Sequence, residues 1–219
     1  MPSLLFENHS SNVVTVCLYQ TISDPPAGAG SVAWRTAVTQ IGGFWRTDWT
    51  PTLNFVWTQV LTNPDGGTSS TGQIVTAGSG AGSSVTLTYA DGSLVFGPVV
   101  PGTTPGKLIV NQDELVRRGG SAGIGMQGAA TILAPTQPNL DLPFAMASRI
   151  FLTVGNYRRG GPVDPATARP VRELVYGSDT DDLYVEMLAN NTLSEPVPLT
   201  SATTAFLRYQ ATLSIDIGE

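Results

Sequence analysis

Cysteine, histidine and lysine each occur once in this chain, as Cys17, His9 and Lys107, and each scarcity closes off a class of chemistry. A lone cysteine forbids an intrachain disulfide, so the fold stands on packing, with Cys17 expected as an embedded thiol in a strand. One imidazole disfavours catalytic zinc sites that take several histidines, and it forces any serine or cysteine triad through His9. His9 lies among polar turn residues, where a surface histidine is the expectation. Charged residues make up only 13% of the chain, roughly half the usual share of about 25%. With a single lysine, the chain has little of the charge that commonly blunts sheet edges, so its surface is permissive for self-association.

The remaining absences concern partners and compartment. The formal net charge is −6, and the arginines are dispersed apart from Arg117-Arg118 and Arg158-Arg159. Nucleic acid is therefore disfavoured as a partner, and the two Arg pairs, each followed by Gly-Gly, read as solvated loop tips. No apolar run is long enough to span a membrane. Residues 1–7 carry no basic region and too short an apolar run for a signal peptide, which predicts a cytoplasmic protein, with signal-independent export as its route out.

What the chain has in abundance is two-residue alternation. Leu207, Tyr209, Ala211, Leu213, Ile215 and Ile217 alternate with Arg208, Gln210, Thr212, Ser214, Asp216 and Gly218, the pattern of a strand with one wet face. Val13 to Tyr19 is apolar on both faces and predicts a central strand. Leu53, Phe55 and Trp57 form an inward row, as do Val85, Leu87 and Tyr89. Asp91-Gly92 between alternating runs signals a hairpin. Further strands are expected over Lys107–Gln112 and Arg149–Val154 and at Leu183, Val185 and Met187. The length suits one domain. The chain thus reads as a single all-β domain over residues 1–219, a two-layer antiparallel, jelly-roll-like β-sandwich of about ten strands with little helix. A Gly/Ser/Thr-rich loop near residues 62–84 would carry one short strand, Gln73–Ala77, and offer a place for partner contact.

Motifs that carry chemistry are few. Gly123-Ile124-Gly125-Met126-Gln127-Gly128 has the spacing of a dinucleotide-binding fingerprint, but the helix that must follow is stopped by Pro135 and the βαβ context is missing. Those glycines are expected to let neighbouring backbone pack closely, and no cofactor is expected. Asp179, Asp181 and Asp182, with Glu186 further on, are the candidate metal ligands, oxygens suited to a hard cation but off the spacing of a calcium loop, and Gly177 to Asp181 reads equally as an ordinary turn. Trp34 and Trp57 sit on inward rows and read as core. Trp45 and Trp49, flanking Arg46-Thr47-Asp48, are the candidate ligand-binding residues, a stacking platform for carbohydrate.

Several of these features come in a recognisable order: Asn8 to Ser10, Cys17-Leu18-Tyr19-Gln20, Val32-Ala33-Trp34, Trp49, and Phe55-Val56-Trp57. The hexapeptide Gly123 to Gly128, Gln137-Pro138-Asn139, Val154-Gly155-Asn156-Tyr157, Gly160 and Val163-Asp164 follow. In this order the chain resembles the RhiA family, rhizosphere-expressed proteins of plant-associated bacteria. The resemblance implies an abundant, quorum-regulated protein with no assigned molecular activity, and it offers no catalytic residues to carry over. It finds no matching motif in Gly66–Ser84 or in the final strand. The low charge, the single lysine and the unprotected alternating terminal strand lead to the expectation of a non-enzymatic protein that assembles with itself into an oligomer, filament or inclusion. Leu4, Leu5 and Phe6, or Leu213, Ile215 and Ile217, would be the donor strand. A viral jelly-roll subunit carries the same signature, and the alternative is a glycan-binding module at Trp45 and Trp49.

Overall fold

The computed structural model describes residues 1–62, 68–78, 82–177, 181–202, 207 and 209. In chain order its strands are β1 (Ser3–Asn8), β2 (Val14–Ile22), β3 (Gly30–Val32), β4 (Arg35–Thr39), β5 (Phe44–Asp48), β6 (Leu53–Thr62), β7 (Thr68–Thr76), β8 (Ser83–Ala90), β9 (Ser93–Phe96) and β10 (Val100–Pro101). They continue with β11 (Lys107–Gln112), β12 (Gly120–Met126), β13 (Ala129–Pro135), β14 (Leu140–Ala145), β15 (Ser148–Val154), β16 (Pro162–Val163), β17 (Val171–Leu174), β18 (Asp182–Met187) and β19 (Val197–Pro198), followed by a 3-10 turn over Leu199–Ala202. Among the described residues no helix is long and apolar enough to cross a membrane.

The strands form four sheets, ordered β19-β18-β1-β5, β17-β15-β2-β4, β16-β3-β13-β12-β6-β7 and β10-β8-β11-β14, with β9 also on β8. Alternation dictates how they layer. Leu4 and Phe6 of β1 and Leu183 and Val185 of β18 meet Val16 and Leu18 of β2 and Leu152 of β15 in one core. Phe55 and Trp57 of β6 and Ile124 of β12 meet Val85 and Leu87 of β8, Val110 of β11 and Phe144 of β14 in a second. The all-β sandwich expected from the pattern is therefore present, but the layering is doubled and many strands are very short. Two strand pairs, β1 with β18 and β11 with β8, run parallel. Sequence alternation is blind to such pairings, because it sets which face a side chain takes and not which strand lies alongside or in which direction.

Several readings hold at residue level. β2 lies between β15 and β4, with Cys17 and Tyr19 buried on the face opposite Val16 and Leu18. At the β8–β9 hairpin Ala90 pairs Ser93, and Asp91 and Gly92 both take positive φ, 50° and 86°, as a two-residue turn matched to strand twist requires.

Other expectations are corrected. Leu4, Leu5 and Phe6 do not form an exposed edge: β1 is paired on one side with β18 and on the other with β5. All three side chains are fully buried, Leu5 against Tyr184 and Leu199 on the outer face of the sheet. The terminal segment was expected as a strand from Leu207, yet Leu207 and Tyr209 have helical backbone, and Leu213, Ile215 and Ile217 lie outside the described residues. The Gly/Ser/Thr-rich stretch is mostly strand rather than loop, since β7 pairs β6 along its whole length. Glycine is required at position 72, because a Cβ there would stand 2.6 Å from the Trp57 carbonyl oxygen. Residues 63–67 and 79–81 of that stretch lie outside the described residues.

Candidate functional site

The chain crosses between the two layered units at Ala33-Trp34, where β3 of one sheet gives way to β4 of another. Trp34 is buried in the first core, and its Nε1–H donates to the Met126 carbonyl at 3.1 Å. That bond ties the tip of the β12–β13 hairpin to the start of β4. Around this junction lies a recess of about 200 Å³ lined by Trp34, Arg35, Thr36, Trp45, Gln127 and Arg159.

Arg35 is held from several sides. Its Nη1 donates to Thr47 Oγ1 at 2.7 Å and its Nη2 to Gln127 Oε1, while the guanidinium carbon sits 5.0 Å from the Trp34 ring centroid, within cation–π range. Its buried Nε has no hydrogen-bond partner. Burial pulls its pKa below the usual arginine value, and Arg159 adds to that, while Asp48 acts against both. Trp45 and Thr47 are two apart on β5 and so share a face, which is how one strand supplies both an aromatic wall and the acceptor for Arg35. Trp45 is half-buried, packed against the first core.

The Gly-x-Gly-x-x-Gly hexapeptide has a structural explanation here. Gln127 and Gly128 are the two turn residues between Met126 and Ala129, with φ of 51° and 72°, which satisfies the same hairpin rule. A Cβ on Gly123 would lie 2.0 Å from the Ile132 carbonyl oxygen and one on Gly125 1.9 Å from that of Ala129. The glycines thus allow close backbone approach, as expected, and the turn places Gln127 in the recess.

The candidate tryptophans part company. Trp49 is only 1% exposed, set edge-on to Trp34 and Tyr176 with centroids 5.4 Å away in each case. It is a core residue and presents no ring face to a ligand, which corrects its assignment to a binding platform; Trp45 alone of the pair lines a recess. Trp34 and Trp57 are core, as expected.

The candidate metal ligands are likewise dispersed. Asp179 lies outside the described residues. Asp181 is 2.6 Å from the Met1 amino nitrogen, and Asp182 accepts from Ser3 Oγ and stands 3.9 Å from Arg46. Among the described residues the group able to hold an ion is instead Glu7, His9 and Glu186, whose donor atoms lie within 4.8 Å of one another. His9 Nε2 is 3.1 Å from Glu7 and 3.5 Å from Glu186, and the Tyr184 hydroxyl donates to Glu7 at 2.6 Å. Burial, then the bond to Glu7, pushes the Tyr184 hydroxyl above its ordinary pKa. Glu7 on β1 and His9 just past its end are close in the sequence, whereas Glu186 joins them only through the parallel register that sets it opposite Glu7. His9 is at the surface, as expected, and stands beside these two carboxylates.

Cys17 is fully buried, and burial pushes its thiol up to about 12. Since thiolate is the reactive form, a thiol-specific reagent at pH 8 is expected to label Cys17 only as fast as the protein unfolds. Labelling that outruns unfolding, followed by absorbance, would contradict its burial.

Comparison with known proteins follows the same residues. A family model described as RhiA matches residues 2–194. Protein RhiA of Rhizobium leguminosarum bv. viciae is 28% identical over 197 residues, an alignment covering 87% of this chain and 84% of the relative. No solved structure matches. The family match takes in both cores and every residue of the recess and stops before β19, so the alternating terminal segment falls beyond it. Over nearly all of its described structure, this chain belongs to the RhiA family.

Proposed function

We propose that this RhiA-family protein is a non-enzymatic structural protein that pairs with a second copy of itself through β7. The observation that carries the reading is a comparison of sheet edges. An unpaired strand edge is a template for another chain, and proteins blunt such edges with charge, proline or brevity. β4 carries Arg35, β5 Arg46 and Asp48, β14 Asp141 and Pro143, and β17 Arg172 and Glu173. β10, β16 and β19 are two residues long and each contains proline, and β9 has four residues. β7 has nine residues, Thr-Ser-Ser-Thr-Gly-Gln-Ile-Val-Thr, with neither charge nor proline. Among the described residues it is hydrogen-bonded to β6 on one side and ends its sheet on the other.

Exposed Ile74 on β7 and Val60 on β6 give that margin an apolar lining. Antiparallel pairing of β7 with its copy is self-complementary and closes a two-fold dimer, joining two sheets into one. Light scattering behind size exclusion over a wide concentration range tests this. The expected mass is at least twice the 23.0 kDa of one chain, with Ile74→Lys held at the monomer mass and the same circular dichroism. A wild-type protein that stays at 23.0 kDa throughout, or an Ile74→Lys variant that assembles equally well, would refute pairing through β7. Ile74 is 47% exposed, so the charge enters without burial.

A further inference from the structure

The recess at the junction of the layered units gathers two guanidinium groups, Arg35 and Arg159. Among the described residues neither forms an ion pair with a carboxylate within 4.0 Å. Two like charges sharing one recess repel each other, and the arrangement gains stability when an anion sits between them.

One of the two groups, Arg35, is fixed before any ligand arrives. Arg35 is clamped by Thr47, Gln127 and the Trp34 ring. Of its five N–H donors, two are engaged in those hydrogen bonds and the Nε–H has no acceptor. Gln127 is itself held by a two-residue turn with both φ values positive. Preorganised donors of this kind bind without an ordering cost, and guanidinium groups suit a planar carboxylate, which they meet with paired hydrogen bonds.

The walls narrow the ligand further. Trp45 supplies an aromatic surface, and Thr36 and Gln127 supply groups that bond hydroxyls. A volume of about 200 Å³ is below the roughly 300–1,000 Å³ of sites that enclose drug-sized ligands, and suits one small ring. We infer that the recess binds a hexuronate, an acidic sugar residue, with its carboxylate on Arg159 and Arg35 and its ring along Trp45.

Calorimetric titration of the full chain at low salt with galacturonate, galactose and inorganic phosphate tests the assignment. Saturable binding of galacturonate is expected, weakened about tenfold or more with galactose, with phosphate and in Arg159→Gln, a loss in line with one charged hydrogen-bonded contact. Arg159 is exposed, so its replacement leaves folding intact, and an unchanged melting temperature verifies this. The absence of saturable galacturonate binding overturns the inference, as does galactose binding equally well. Phosphate binding as tightly as galacturonate would make the recess a simple anion hole and overturn the sugar assignment. Undiminished binding in Arg159→Gln would place the ligand elsewhere.

Discussion

Trp49→Ala is expected to destabilise the protein by about 3–5 kcal/mol, the range found when a buried aromatic side chain is truncated. Trp49 is enclosed in the first core and set edge-on between Trp34 and Tyr176. Its removal empties the space on which both neighbours rest, and Trp34 in turn holds the β12–β13 hairpin through Met126. Small domains have only about 5–15 kcal/mol of net stability, so a loss of this size threatens folding at ambient temperature. Trp45→Ala is the matched comparison. Trp45 is partly buried at the rim of the same core, so it loses less contact and costs less. Urea unfolding followed by tryptophan fluorescence measures both. A Trp49→Ala variant within about 1 kcal/mol of wild type, well below the cavity range, would return Trp49 to the surface role first expected for it.

The second large effect lies in the Gly-x-Gly-x-x-Gly hexapeptide. Gly125→Ala is expected to cost at or beyond the upper end of the about 1–3 kcal/mol typical of overpacking. The added Cβ meets a backbone oxygen, that of Ala129 at 1.9 Å, together with the Asn54 amide nitrogen at 2.8 Å, and a hairpin backbone cannot turn aside as a flexible side chain can. Gly123→Ala meets the Ile132 carbonyl oxygen at 2.0 Å and belongs to the same class. Gly128→Ala separates steric from conformational cost. Its Cβ would enter open space, but its φ is +72°, so only the left-handed backbone penalty of roughly 1–2 kcal/mol applies. The predicted order of melting temperatures is therefore wild type, Gly128→Ala, then the two close-approach variants. A Gly125→Ala protein that melts with wild type would show that the β12–β13 backbones do not approach as described.

Much of the strand content was legible because alternation is a local property. β2, β6, β8, β11, β15 and β18 all arise from runs whose side chains declare one face or two. The Asp91-Gly92 turn was legible for the same reason, since a two-residue loop needs positive φ and those residues supply it. β7 was not legible as a full strand. Its Gly and Ser have weak strand preference, and what makes it a strand is contact with β6, including the close approach at Gly72. The burial of Leu4, Leu5 and Phe6 was hidden for a related reason. An apolar tripeptide near a terminus reads equally well as an exposed arm or as the middle of a sheet, and only the strands from Phe44–Asp48 and Asp182–Met187 on either side decide between them.

By itself the sequence determined that this protein is an all-β sandwich held by packing rather than by intrachain disulfides, and that Gly123 and Gly125 of its hexapeptide serve close packing. These follow from the covalent chain: one cysteine cannot pair with itself, and alternation or a following proline acts within a few residues. Tertiary structure alone decided which strands end their sheets, which tryptophans remain accessible, and that Arg35, Trp45, Gln127 and Arg159 share one recess. Those residues are spread over more than a hundred positions, and Glu186 reaches Glu7 across a longer separation still. Their meeting depends on sheet order and register, which are set by the summed packing of both cores and are not written in any local stretch of the chain.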